Sequence, residues 1–227
     1  MSELLLVRHA QASFGGDDYD RLSELGHRQA GWLGAWLAER GYDFDAIVTG
    51  TLRRHRETAA GIVRGMGRAE SAIEENPAWN EFDFMSLVER YSHQNGGRPV
   101  DGCLSPRDYY RLLRKALLAW SEDAVDLGGG AMESWAGFRA RTRGALDRIR
   151  EFGSSQRVLV VSSGGALASA VQHILDLPTE SMIQLNLQTC NTGMHRCYFN
   201  ERSISLAGFN HVPHLETRER QRYTTYY

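Results

Sequence analysis

Arg8 and His9 follow directly on the apolar run Leu4-Leu5-Leu6-Val7, so a cation and an imidazole arrive together at the carboxyl end of a segment that reads as a buried strand. Open α/β sheets place their chemistry at that edge. A neutral imidazole there is a competent nucleophile toward phosphorus if its other nitrogen is held by a hydrogen bond that fixes the tautomer. Guanidinium groups supply the complement. Arg8 and one arginine of the segment Thr51-Leu52-Arg53-Arg54-His55-Arg56-Glu57-Thr58 would grip phosphoryl oxygens bidentately and offset the charge of a transferring phosphoryl group. Glu81, in Trp79-Asn80-Glu81, offers a carboxyl group to protonate a leaving alcohol, a role that needs burial or a nearby dianion to oppose the arginines' lowering of its pKa.

The elements that must carry these residues repeat a strand-to-helix rhythm. Ser23 is a plausible N-cap for a helix to about Arg40, with Leu25, Trp32, Leu33, Trp36 and Leu37 on one stripe and Gly41 as terminator. Asp45 to Thr49 reads as a second strand, Thr51 as the cap of a second helix, and Arg157 to Val161 as a later strand leading through Gly164-Gly165 into a helix that Leu177-Pro178 stops. Between Phe82 and about Gly130 the rhythm breaks. Gly96-Gly97, Pro99 and Pro106 punctuate a polar stretch, and a helix after Ser105-Pro106 buries Leu112, Leu113, Leu117 and Trp120. Another amphipathic helix is expected from about Glu133 to Phe152. The expectation is an α/β three-layer sandwich, a mostly parallel sheet with helices on both faces, in one domain over 1–227 with a helical insert at about 82–130. The tail after His211 reads as a partly ordered end.

Composition bounds the partners. A formal charge of -2 on 227 residues gives no field to attract nucleic acid or an anionic membrane, and no uncharged run approaches a membrane span. Cys103, Cys190 and Cys197 lack the spacing of a zinc site, which points to free thiols in a reducing cytoplasm, with no metal and no cofactor. These features leave the oligomeric state open.

The motifs together resemble the histidine phosphatase superfamily, in its phosphoglycerate mutase-like branch. Leu6-Val7-Arg8-His9-Ala10 is similar to that family's nucleophile motif and Leu22 to Ala30 to its first helix. Thr51-Leu52 with Arg54 and Thr58 fits its Ser-x-Leu-x-Arg-Ala-x-x-Thr pattern, which puts the second phosphate arginine at Arg54 rather than Arg53. Glu81 falls at the proton donor. The resemblance implies a phosphomonoester hydrolase acting through a phosphohistidine on a small phosphorylated metabolite. His9 and Glu81 would then be catalytic, with Arg8, Arg54, Ser163 and Gly164 binding the phosphate.

Three positions depart from the family pattern. Ser163 stands where the family's Val-Ser-His-Gly-Gly context has its second histidine, Ala10 replaces a commoner glycine, and Gly15 occupies a position where mutase-like members carry asparagine. The last favours phosphatase over mutase chemistry. A hydroxyl at 163 can still donate one hydrogen bond beside the Gly164 and Gly165 amides, or can simply cap that helix. The missing imidazole predicts slow turnover that Ser163→His would raise, or, in the competing class, a phospho-ligand binding protein of the same fold. His55, His195, His211 and His214 are candidate substitutes for it.

Overall fold

The computed structural model describes residues 2–13, 19–68, 72–97, 104–130 and 132–226. Gly15, Pro99 and Cys103 lie outside them. A six-stranded sheet runs in the order β3-β2-β4-β1-β5-β6, built from β1 (Ser2–Arg8), β2 (Ala46–Thr49), β3 (Ile73–Glu75), β4 (Arg157–Ser162), β5 (Met194–Phe199) and β6 (Ile204–His211). The first four strands are mutually parallel, and β5 and β6 join antiparallel beside β1. The sheet is therefore mixed, its hairpin edge coming from a segment that showed no alternation clear enough to read in advance.

Period-two alternation along β1 divides the core. Leu4 and Leu6 point to one face with Val158, Val160, Leu167 and Phe199, and Leu5 and Val7 to the other with Leu33, Leu37, Ile62 and Val161. Helices α1 (Glu24–Glu39) and α2 (Arg53–Gly65) cover the second face. Helices α5 (Trp135–Ile149) and α6 (Gly164–Leu175) cover the first. Both faces are dry, which is why the parallel strands read as continuous apolar runs. The stretch between Phe82 and Gly130 forms α3 (Phe84–Gln94) and α4 (Pro106–Ser121), whose Leu87, Val88, Leu113, Leu117 and Trp120 join Phe82, Trp135 and Phe138 in a third cluster. That cluster also takes Met182 and Ile183 of α7 (Thr179–Gln188), a helix not anticipated after the Leu177-Pro178 stop. Asp176, at φ +50, turns the chain between α6 and α7.

Ser23 caps α1 as expected, accepting from the Gly26 N–H at 3.0 Å. Thr51 does not cap α2. Leu52 occupies the cap position without a side-chain bond, because the Thr51 hydroxyl accepts from Asn80 Nδ2 at 2.8 Å while its N–H donates to Asn80 Oδ1 at 2.7 Å. The cap was traded for a link to the loop that carries Glu81. The C-terminal tail is also better held than a partly ordered end. Gln29 Nε2 donates to the Tyr223 carbonyl at 2.8 Å and to Thr225 Oγ1 at 3.0 Å, and the Asn191 N–H donates to the Thr225 carbonyl at 2.8 Å.

Candidate active site

Three adjacent strands end together. β4 lies between β2 and β1 with Val161 beside Thr49 and Ser162 beside Arg8, so the residues that follow each strand converge: Arg54 and His55 through α2, Ser163 and Gly164 at the start of α6, and His9. The His9 N–H donates to the Ser162 carbonyl at 2.7 Å, extending the ladder one residue past β1. Sheet register thus sets His9 beside Ser163, although 154 positions of chain separate them.

His9 is buried, and its Nδ1 lies 2.7 Å from the Ala10 carbonyl oxygen. A carbonyl accepts only, so Nδ1 carries the hydrogen and Nε2 keeps its lone pair. The backbone around it is pinned on both sides. Asn191 Nδ2 donates to the His9 carbonyl at 3.0 Å, and the Ala10 N–H donates to Thr58 Oγ1 at 3.0 Å, which donates in turn to the Arg54 carbonyl at 2.7 Å. Burial pushes the His9 pKa well below its ordinary value, and the nearby positive charges of Arg54 and Arg8 and the His55 ring push the same way. The imidazole is neutral at physiological pH.

Arg8 donates through one terminal nitrogen to the Thr189 carbonyl and, at 2.9 Å, to the Tyr226 carbonyl, which also accepts from the Tyr110 hydroxyl at 2.9 Å. Arg54 is 5% exposed and pairs with Asp20 at 2.7 Å. The buried Nε atoms of Arg8 and Arg54 have no hydrogen-bond partner among the described residues. Leaving a buried charged donor unpaired costs at least about 1–3 kcal/mol, so both are groups that an anion would stabilise.

Glu81 accepts from the Gly165 N–H at 2.8 Å and the Phe82 N–H at 3.2 Å. Desolvation raises its pKa above the usual carboxylate value, against the lowering influence of the Gly165 amide and the more distant Arg54 and Arg141 charges. That supplies the opposing effect a proton-donor role would require. Glycine at 165 lets the carboxyl group come this close, since a β-carbon would lie 2.4 Å from Glu81 Oε1 and displace it. Arg141 fixes the approach of this loop, donating to the carbonyls of Ala78 at 3.0 Å and Asn80 at 2.6 Å while paired with Glu133 at 2.6 Å.

Ser163 is fully buried at the start of α6, yet its hydroxyl caps no amide of that helix. Its partner is His55, whose Nε2 stands 2.6 Å from Ser163 Oγ and whose ring centroid is 5.7 Å from that of His9. Burial and the Arg54 charge hold the His55 pKa well below its usual value. Of the four histidines weighed as substitutes, this is the one the fold brings to Ser163. His195 and His214 lie elsewhere, bonded to the Asn210 N–H and to Thr192 Oγ1. Gly164 sits where a β-carbon would stand 3.6 Å from Arg8 Nε. Sequence reasoning gave no role to the Gln29 side chain within the Leu22 to Ala30 match, and it missed Asn191 and the 223–226 tail, which support the loop after β1 from far along the chain and carry no motif. Among the described residues no group of three or more His, Cys, Asp or Glu side chains is gathered as a metal site needs, and no helix is long and apolar enough to cross a membrane.

The chain is 29% identical over 196 residues to a 2,3-bisphosphoglycerate-dependent phosphoglycerate mutase of Methylorubrum populi, covering 82% of this chain and 85% of that one. It is 28% identical over 221 residues to a probable phosphoglycerate mutase of Photorhabdus laumondii, covering 95% and 88%. Among solved structures, the phosphoserine phosphatase of Entamoeba histolytica superposes with a TM-score of 0.65 at 21% identity, covering 95% of this chain and 100% of that one. A mycobacterial glucosyl-3-phosphoglycerate phosphatase does so with a TM-score of 0.62 at 23% identity, covering 92% and 98%. Residues 4–99 and 103–211 match the family described as histidine phosphatase superfamily (branch 1), and the chain belongs to that superfamily.

Proposed function

We propose that this protein is a cytoplasmic phosphomonoester hydrolase that works through a phosphohistidine on a small phosphorylated metabolite. The observation that carries the reading is the pair of buried, unpartnered guanidinium Nε atoms of Arg8 and Arg54 beside a neutral His9 whose Nε2 is left as the free nucleophile. His9 Nε2 attacks phosphorus, the bond from phosphorus to the ester oxygen breaks, and the Glu81 carboxyl group gives its proton to the departing alcohol. Water then attacks the phosphohistidine, giving a proton to the Glu81 carboxylate. The nitrogen–phosphorus bond breaks, its electron pair returns to the imidazole, and inorganic phosphate leaves. Arg8 and Arg54, with the Ser163 hydroxyl and the α6 start at Gly164, would hold the phosphoryl oxygens throughout. The free thiols of Cys190 and Cys197, neither of them in a disulfide, support a reducing compartment.

A neutral hydroxyl at 163 in place of a ring donor predicts modest turnover. The deciding experiment is a panel of phosphomonoesters including phosphoserine and phosphoglycerates, with trapping of phosphate on the protein. Turnover with acid-labile phosphate on His9, lost in His9→Ala, is expected. Tight phosphate binding with neither turnover nor phosphoenzyme would make the chain a binding protein of the same fold. Interconversion of phosphoglycerates that depends on 2,3-bisphosphoglycerate would move it to the chemistry of its mutase relatives.

A further inference from the structure

The family pattern puts a small residue at position 55 and an imidazole at 163, and this chain has the reverse. The structure makes the two departures one feature. His55 reaches from the first turn of α2 to the start of α6 and closes on Ser163 at 2.6 Å, both side chains buried. Room for the ring exists because position 50 is glycine: a β-carbon there would lie 2.3 Å from His55 Nδ1 and 2.7 Å from Asn80 Oδ1. A serine at a helix N-cap ordinarily turns its oxygen onto the second or third amide of the helix. Ser163 does not, and among the described residues its hydroxyl is engaged by the imidazole alone.

We infer that His55 and Ser163 act as one composite donor, in which the His55 ring N–H bonds to Ser163 Oγ and so aims the serine hydroxyl hydrogen at the transferring phosphoryl group. The inference rests on the hydrolase reading above. Ser163 is the member that touches phosphate, and His55 is a positioning residue that acts through it. The hydrogen sits on Nε2. With it on Nδ1, which has no partner, a buried N–H would be stranded and the serine would spend its own hydrogen on the ring. The neighbours that bear on the ring are Arg54, whose charge opposes protonation, and His9 across 5.7 Å, itself held neutral. A neutral ring with a single N–H is what the arrangement requires.

The arrangement also alters the expected effect of Ser163→His. An imidazole at 163 would be built into the space that the His55 ring already fills, so the single substitution should give no gain in kcat.

The test uses p-nitrophenyl phosphate hydrolysis by the full chain, with thermal melting to establish folding. His55→Ala and Ser163→Ala should each lower kcat about 100-fold with little change in KM, the usual scale for one preorganised donor. The double variant His55→Ala/Ser163→Ala should be no slower than either single, because the pair works as a unit. The exchange His55→Ala/Ser163→His should recover kcat to within about tenfold of the parent, a rescue that a merely space-filling His55 would not produce. If His55→Ala fails to fold, the exchange variant decides alone, and a folded exchange variant more than about tenfold slower than the parent overturns the inference. Parent-like kcat in folded His55→Ala, with His9→Ala inactive, overturns the composite donor and leaves the hydrolase intact. A parent that neither turns over nor takes phosphate onto His9 overturns both.

Discussion

Four imidazoles are buried in this molecule, two at the parallel half of the sheet and two at the antiparallel half. His9 and His55 stand at the carboxyl ends of β1 and β2, beside the arginines. His195 lies within β5, its ring stacked on Phe209 at 4.3 Å and its Nδ1 accepting from the Asn210 N–H at 3.0 Å, while His214 follows β6 and meets Thr192 Oγ1 at 2.8 Å. Desolvation keeps all four below the ordinary histidine range, with His195 and His214 both pushed down to about 3. Burial and a lowered pKa are therefore common to both halves and distinguish nothing. What separates the pairs is the neighbourhood. The first two share their surroundings with guanidinium groups whose Nε atoms have no partner among the described residues, whereas the second two meet Phe209, the Asn210 amide and the Thr192 hydroxyl, and the Arg220 guanidinium beside His214 donates to the His214 carbonyl at 3.3 Å.

The comparison breaks most visibly at Arg54. Arg54→Ala should lower kcat/KM by at least about 1000-fold, since it removes the buried cation proposed to hold the phosphate, and steady-state kinetics with an aryl phosphate reads it. Persistence of parent-like rates would remove the electrostatic distinction between the two halves. Glu81→Gln comes next, with a loss of about 100-fold for alkyl phosphates and only a few-fold for aryl phosphates, whose leaving groups depart without protonation. Because burial raises the Glu81 pKa and lowers that of His9, kcat/KM for an alkyl ester should rise with pH as His9 loses its proton and fall as Glu81 loses its own. The glutamine variant should lack the falling limb, and equal losses on both ester classes would assign Glu81 a structural role.

The smallest kinetic effect is expected in the antiparallel half. His195→Phe should change kcat by less than about twofold while costing about 1–3 kcal/mol of stability at neutral pH, because the Asn210 N–H loses its acceptor. Its pH dependence is the sharper readout. A folded-state pKa near 3 against an unfolded value near 6.5 means that the unfolded chain binds the proton first as pH falls. The stability contributed by keeping His195 neutral is complete above pH 6.5 and is lost on acidification toward pH 3, at about 1.4 kcal/mol per pH unit. Urea midpoints of the parent should fall steeply over that window, and those of His195→Phe less so. An unchanged slope would mean that His195 is accessible to protons in the folded state.

Much of this was legible along the chain because it depends on short-range pattern. The apolar run into Arg8-His9 specified a buried strand ending in the proposed nucleophile, the Ser23 cap and Leu25 to Leu37 stripe specified α1, and Arg157 to Val161 leading into Gly164-Gly165 specified β4 and α6. The α/β class and the two covered faces follow from those periodicities. Less legible were β5 and β6, whose mixed burial gives no clean alternation, and α7, whose start merges with the Pro178 stop.

By itself the sequence determined which residue types exist to perform phosphoryl chemistry and that each stands at the end of an element able to present it, because strand runs and helix caps are written within a few neighbouring positions. Only the tertiary structure decided which of them meet. The β2-β4-β1 order brings His55 to Ser163 across 108 positions and sets Ser163 beside His9, and the return of the chain's end brings the Tyr226 carbonyl onto Arg8 across 218. Such pairings depend on sheet order and register, which arise from packing the two faces as a whole, and no local spacing records them.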